Sequence, residues 1–310
     1  MDGRRKGPCW IGLLHRALPL APGLWSGRCC VKFFSVSEIF VFVLGLVVGS
    51  FLNVCIYRLP RGESVVRPRS RCPACGVQIR ARDNLPVVSY LLLGGRCRHC
   101  RAVISPLYPA VELLTGLLFV ACYGAFGATV AGAKWMAFAA LLVVLFFADL
   151  RERILPDAVN YTGLAIGLGF SFFSGPDDGT ALWLSRKLFA MPPPDPVLAF
   201  ADALAGAALG GGMLWLVGEG YFRLRGREGM GLGDVKMMLM VGAFLGAKLT
   251  LLAILLGSLG GSVLGLLYIL VWRKGSNYEL PFGSFLAGAA LVTVFFGAPV
   301  IAWYQRVAGF

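Results

Sequence analysis

Leu141-Leu-Val-Val-Leu-Phe-Phe-Ala-Asp149 is an apolar run that ends on a carboxylate, and Leu-Arg-Glu-Arg153 follows at once. Such a run reads as the end of a bilayer crossing with its charged residues at the edge. A carboxylate at that depth is expensive to bury and rarely accidental. A second acid stands in the same kind of place. In Gly229-Met-Gly-Leu-Gly-Asp-Val-Lys236, Asp234 opens another apolar segment. Two aspartates at membrane depth, each beside basic residues, point to acid–base chemistry on a substrate in or against a bilayer.

The rest of the chain has the composition of a membrane protein. Of its 310 residues, 57% are hydrophobic, 15% are charged and 41 are glycine. Soluble domains carry about a quarter charged residues. A span needs about 20 mostly apolar residues. Eight stretches qualify, roughly 38–57, 106–124, 132–149, 158–174, 198–218, 234–247, 249–271 and 282–304. The sixth is short and the break at Lys248 is soft, so seven spans stay open as an alternative. The expected fold is an all-α polytopic membrane protein of about eight transmembrane helices. Glycines such as Gly206, Gly210, Gly257 and Gly261 would let those helices approach closely. No long soluble domain and no clear internal repeat is visible.

A net charge of +13 would suit nucleic acid, but its distribution argues against that partner. Ten arginines fall between Arg58 and Arg101, against only Glu63 and Asp83. Arg151 and Arg153 follow the third span, Arg223, Arg225 and Arg227 the fifth, and Arg273 and Lys274 the seventh. These are alternate loops. The opposite ones carry only Lys134, Arg186, Lys187 and Lys248, with Arg306 at the tail. Because Lys and Arg concentrate in cytoplasmic loops, the arginine-rich loops should face the cytoplasm and both termini the outside. Residues 1–32 break this rule with Arg4, Arg5, Lys6, Arg16, Arg28 and Lys32. Pro19, Pro22 and Gly23 also spoil them as a signal-peptide core. The expectation is that translation starts downstream, with Val31 as the candidate.

Four of the nine cysteines stand as Cys72-Pro-Ala-Cys75 and Cys97-Arg-His-Cys100, with 21 residues between the pairs. Paired knuckles of this kind suit a tetrahedral four-thiolate zinc site. A cytoplasmic loop keeps its thiols reduced, which disfavours disulfides. About 45 polar residues bury too little core to fold alone, and a metal would supply the missing energy. With all four positions filled by thiolate, this zinc reads as structural. His99 could replace a cysteine but reads more simply as an exposed loop residue. Cys55 and Cys122 lie in apolar spans and read as packing residues.

Two neighbouring carboxylates do not both ionise easily, so one can hold a proton while the other is charged. One member can then activate a water while the other donates a proton, as in aspartic proteases. Gly231 and Gly233 would open backbone conformations closed to other residues and let a substrate chain approach Asp234. Lys236 reads as a membrane-edge anchor rather than a partner of Asp234, since i and i+2 lie on different helix faces. Asp157 and Asp202 read as helix caps or solvated boundary residues.

Gly49-Ser-Phe-Leu-Asn-Val-Cys-Ile-Tyr-Arg-Leu-Pro60, the two Cys-x-x-Cys pairs and Asn84-Leu-Pro-Val-Val-Ser-Tyr90 form one set of motifs. Tyr108-Pro-Ala-Val-Glu112, Asp149 to Asp157, Gly229 to Lys236 and Pro281-Phe-Gly-Ser-Phe-Leu286 form another. With these, in this order over about residues 36–305, the chain resembles the type IV prepilin peptidases. The resemblance implies an integral aspartic endopeptidase of the Gly-x-Gly-Asp class in the bacterial inner membrane, with Asp149 and Asp234 catalytic. It implies cleavage of the basic leader of type IV prepilins or pseudopilins, of pilus and type II secretion systems, at the cytoplasmic face. Many members also methylate the new N-terminus with S-adenosylmethionine, an activity associated with the cysteine-bearing loop found here. No residue motif places that methyl donor; Glu63, Asn53 and Glu112 are weak candidates that could equally be structural.

The chain then divides into an extension at 1–34, a first transmembrane helix at 35–57, a four-cysteine zinc loop at 58–105 and a transmembrane peptidase region at 106–305. Ser284 departs from the family, which commonly has proline there; the change would loosen the turn but touch neither acid. The arginine-rich loop would meet anionic lipid headgroups, at about 1 kcal/mol per basic residue. A peptidase without methylation, a membrane scaffold and a transporter are the competing readings. A transporter would place its acids near the bilayer midplane, and these lie at one face. Oligomeric state is not legible.

Overall fold

The computed structural model describes residues 35–174, 180, 187, 194–227, 229–272 and 281–309. The reading of residues 1–34 as an extension, with Cys9, Cys29 and Cys30, lies outside them, as does Arg186. Ser35 starts the first helix, α1 (Val36–Arg58), through a capping box in which its side chain accepts from Glu38 N and Glu38 accepts from Ser35 N. A polar, irregular segment follows, with two 3-10 turns and the short α2 (Val88–Leu92). The remaining helices are α3 (Leu107–Phe126), α4 (Val130–Glu152), α5 (Asp157–Ser174), α6 (Asp195–Arg225), α7 (Leu232–Trp272) and α8 (Phe282–Ala308). Among the described residues there is no strand, only two isolated antiparallel bridges in the cysteine loop.

Six helices, α1, α3, α4, α6, α7 and α8, are long and apolar enough to cross a membrane. α7 contains two of the expected spans. At Gly246 its backbone takes φ 73° and ψ 179°, a region open essentially to glycine alone. A Cβ added to Gly210 on α6 would meet the Met238 carbonyl and lie 2.9 Å from Thr250 Cγ2. On a straight helix those two residues would stand about 18 Å apart. The chain therefore doubles back at Gly246, two residues before the break expected at Lys248. With α5, which as described is not apolar enough to be counted with the six, the described chain has eight helical arms at the positions of the eight expected spans.

α4 is the centre of the bundle. Phe138, Leu142, Leu145 and Ala148 on it are fully buried, and it packs against α1, α3, α5 and α8. α6 and α7 approach until their backbones touch: a Cβ on Gly206 or Gly242 would overlap the other's carbonyl. The outer faces are apolar too, with Phe40, Val47 and Phe51 exposed on α1 and Leu255, Leu259 and Leu266 on the second arm of α7. A helix that is apolar all round needs lipid or protein on every side. The chain is a multi-pass membrane protein.

Two charged residues depart from the sequence reading. Asp202, read as a helix cap or a solvated boundary residue, lies inside α6 and is 1% exposed. Lys134, counted among the loop charges, is fully buried in the second turn of α4, its ammonium 4.8 Å from the Trp135 ring centre.

Candidate active site and thiol cluster

α4 ends just past Asp149. Arg153 adopts the left-handed conformation and its N–H donates to the Asp149 carbonyl at 2.9 Å. Pro156 prevents the helix from continuing, since it has no N–H to give, and α5 restarts at Asp157. α7 begins at Leu232, which sets Asp234 in its first turn. The two acids reach one cavity of about 270 Å³, walled also by Arg153, Leu155, Asp157, Gly231 and Gly233.

The third contributor is the start of α8. A Cβ added to Gly283 would lie 3.1 Å from Asp234 Oδ1 and 3.2 Å from Asp149 Cγ. The two carboxyl groups therefore stand no further apart than those two distances laid end to end. The missing side chain at Gly283 leaves room between them for a small molecule such as water. Ser284, the next residue, donates to Asp149 Oδ2 twice, from its backbone N–H at 2.6 Å and from Oγ at 2.8 Å. Its hydroxyl also lies 3.0 Å from the Phe146 carbonyl. This corrects the expectation that Ser284 touches neither acid. Where proline stands at this position, neither donor exists.

Asp149 is 5% exposed and Asp234 is half-buried. Neither Gly231 nor Gly233 has positive φ, so the conformational role expected for them is not what they supply. Their contribution is space: a Cβ on Gly233 would lie 3.2 Å from Leu155 Cβ, and one on Gly231 would lie 3.8 Å from Asp234 Oδ2. Lys236 does not pair with Asp234. Its ammonium bonds Asp157 Oδ2 at 2.7 Å on the cavity rim. The sequence singled out Asp149 and Asp234 but missed Gly283 and Ser284. Pro281-Phe-Gly-Ser carries no charge that would mark it, and its register against α4 is a tertiary fact.

The four cysteines converge. Their sulfurs all lie within 4.8 Å of one another, and Cys72 Sγ is 3.8 Å from Cys100 Sγ. A tetrahedral site with metal–sulfur bonds of about 2.3 Å has edges of about 3.8 Å, so the donor set fits. Two knuckles with the same backbone pattern build it. Cys72 N donates to Val77 O and Gly76 N to Cys72 O; Cys97 N donates to Ala102 O and Arg101 N to Cys97 O. This is a short internal repeat that the sequence did not reveal. Backbone N–H groups of Cys100 and His99 pull the Cys97 thiol down to about 7. At Cys100 the Ala102 N–H pulls the same way, yet burial and the neighbouring thiols outweigh it and push that thiol up to about 11. The cluster could hold a metal ion. His99 is exposed outside it, and Cys55 and Cys122 are buried in their helices, as expected. Arg98 grips Asp83 with Nη2–Oδ1 at 2.7 Å, tying the second knuckle to the 81–84 turn and holding Asp83 below the usual carboxylate range.

Asn53, Glu63 and Glu112 all line a second cavity, of about 590 Å³, between α1, α3 and the cysteine loop. Asn53 Nδ2 donates to the Tyr108 carbonyl at 3.0 Å, and Val87 N donates to Glu112 Oε2 at 2.7 Å.

No solved structure matches the chain. Among curated proteins, it is 43% identical over 245 residues to the "Prepilin leader peptidase/N-methyltransferase" of Myxococcus xanthus, covering 78% of this chain and 66% of that protein. It is 36% identical over 298 residues to the protein of that name from Pseudomonas aeruginosa, with 86% and 93% covered. The corresponding protein of Aeromonas hydrophila is 35% identical, with 85% and 92% covered. Residues 43–126 match the Bacterial Peptidase A24 N-terminal domain and residues 136–266 the Type IV leader peptidase family. The thiol cluster falls in the first match, and both cavity acids fall in the second. The chain belongs to the type IV leader peptidase family.

Proposed function

We propose that the protein is a membrane-embedded aspartic endopeptidase that removes the basic leader of type IV prepilins or pseudopilins and then methylates the new N-terminus. The observation that carries the reading is the convergence of Asp149 and Asp234 on Gly283 in one cavity at one end of the bundle. One carboxylate takes a proton from the attacking water. The other donates its proton to the scissile carbonyl oxygen; the proton taken from the water then passes to the departing amine as the C–N bond breaks, and the collapsing intermediate returns a proton to the second carboxylate. Ser284 fixes Asp149, and Gly283 leaves space for the water. The Asp157–Lys236 ion pair lies at the rim of that cavity.

The same reading puts this end of the bundle at the cytoplasmic face of a bacterial inner membrane, because the arginine-rich loops lie there. A prepilin's basic leader would stay on that side while its apolar helix docks between spans, and the loop arginines would meet anionic lipid. Cys72, Cys75, Cys97 and Cys100 would hold one zinc as a closed structural site that supplies folding energy to the loop. S-adenosylmethionine would be the methyl donor.

The test is purified protein incubated with a prepilin bearing a basic leader and with S-adenosylmethionine, followed by mass analysis. Loss of the leader with gain of one methyl group is expected. An uncut substrate would defeat the peptidase reading, and a cut but unmodified one would leave the peptidase alone.

A further inference from the structure

The cavity that holds the acids is unbalanced in charge. Three of its lining residues are aspartates, Asp149, Asp157 and Asp234, and one is an arginine, Arg153. Asp157 has its partner in Lys236, at 2.7 Å. Arg153 stands one turn past Asp149, with φ 54° and ψ 34°. Helices commonly end on a left-handed residue, and that residue is usually glycine. A side chain in that conformation costs backbone strain, and such strain gathers at functional sites. Here an arginine is kept on the wall beside the acids where a glycine would close the turn more easily. The wall also has a direction. Arg153 is exposed, whereas Leu155 is buried, its Cδ1 2.9 Å from where a Cβ on Gly283 would stand. Around the acids it runs from an exposed cation to a buried apolar side chain.

We propose that Arg153 binds the carboxylate that cleavage creates, the new C-terminus of the cut leader, an inference that rests on the peptidase reading above. Hydrolysis puts the water oxygen on the acyl carbon and breaks the C–N bond. One hydrogen of the water ends on the amine nitrogen, and the carboxylic acid so formed gives its proton, through solvent, to the same amine. The leader then ends in a carboxylate inside a cavity that already holds Asp149 and Asp234. Like charges in so small a space repel one another, and a guanidinium on the wall offsets that repulsion. Its planar fork meets a carboxylate with two parallel hydrogen bonds. The direction of the wall fits the two products. The polar leader leaves past exposed Arg153, and the new amine heads an apolar helix on the side of Leu155. In the intact chain the same atoms belong to an uncharged amide, so Arg153 grips the cut leader more tightly than the uncut substrate.

The experiment measures binding of the product. Purified full-length protein in lipid nanodiscs is titrated at neutral pH with the synthetic leader of a prepilin, labelled at its N-terminus and ending either in a free carboxylate or in a carboxamide. Binding is read by fluorescence anisotropy. The wild type should hold the acid roughly tenfold more tightly than the amide, as a charge-assisted hydrogen bond would give. Arg153→Gly suits the left-handed turn and removes the guanidinium, so it should bind the two peptides equally. Arg153→Lys, which keeps a charge without the fork, should fall between. Equal affinity for acid and amide in the wild type overturns the inference without any variant, and so does a wild-type preference kept by Arg153→Gly. Failure of the wild type to bind either peptide overturns it too. Prepilin added to the same preparation then separates the two claims: cleavage leaves the peptidase reading standing alone, and an uncut prepilin takes both down.

Discussion

Ser284 holds Asp149 from two directions, and Gly283 keeps the space between the acids open. Both claims can be separated by substitution. Gly283→Ala puts a methyl group about 3 Å from each carboxyl group, tighter than ordinary contact. Prepilin cleavage should fall at least tenfold while the thermal unfolding temperature stays near wild type; full activity would show that the space is not used. Ser284→Ala keeps the N–H donor and Ser284→Pro removes both donors. A hydrogen bond to a charged group contributes about 1.5–3 kcal/mol. The alanine variant should therefore lose roughly tenfold in kcat and the proline variant more, with KM little changed. Equal activity in all three would make the contact incidental. The acids were legible in the sequence because a carboxylate in an apolar run has few reasons to be there. Gly283 and Ser284 were not legible, because nothing local says which face of α8 meets α4. Asp202 was misread for a related reason: a helix-end position does not reveal what packs over it.

The helices themselves were largely legible, since apolar length alone announces a span. The hairpin in α7 was seen only as a short sixth span and a soft break, because Gly246 is one glycine among 41 and only its φ of 73° marks the reversal. Gly246→Val should cost about 1–3 kcal/mol of backbone strain and push α6 away from both arms. A lower unfolding temperature, with cleavage lost before helicity, is the expected outcome. In the cysteine loop, the spacing of the knuckles gave the cluster, and the matched backbone turns that build it became visible only in three dimensions. Cys72→Ser replaces the buried thiol of the four. Metal analysis should fall from about one zinc per chain, as a closed four-thiolate site requires, toward none, and proteolysis of the 58–105 segment should accelerate. A loop that stays resistant without metal would remove zinc from its folding.

The bundle brings its chemistry to one end. Arg61 pairs with Glu152, Lys236 with Asp157 and Ser284 with Asp149, so the ends of α1 and α4 and the starts of α5, α7 and α8 form a single polar rim. Charge patterning led to the expectation of a common face for the arginine-rich loops; it could not foretell that two cavities share the last turn of α4. The central claim is that Asp149 and Asp234 work as one pair. It is tested most directly by single-turnover prepilin cleavage with Asp149→Asn, Asp234→Asn and the double variant, each checked for wild-type unfolding. Residues that act as a unit are strongly non-additive. Each single change should abolish cleavage to background, on the order of a thousandfold or more, and the double variant should be no worse than either. Substantial activity in a single variant, or losses that multiply in the double, would contradict the pair.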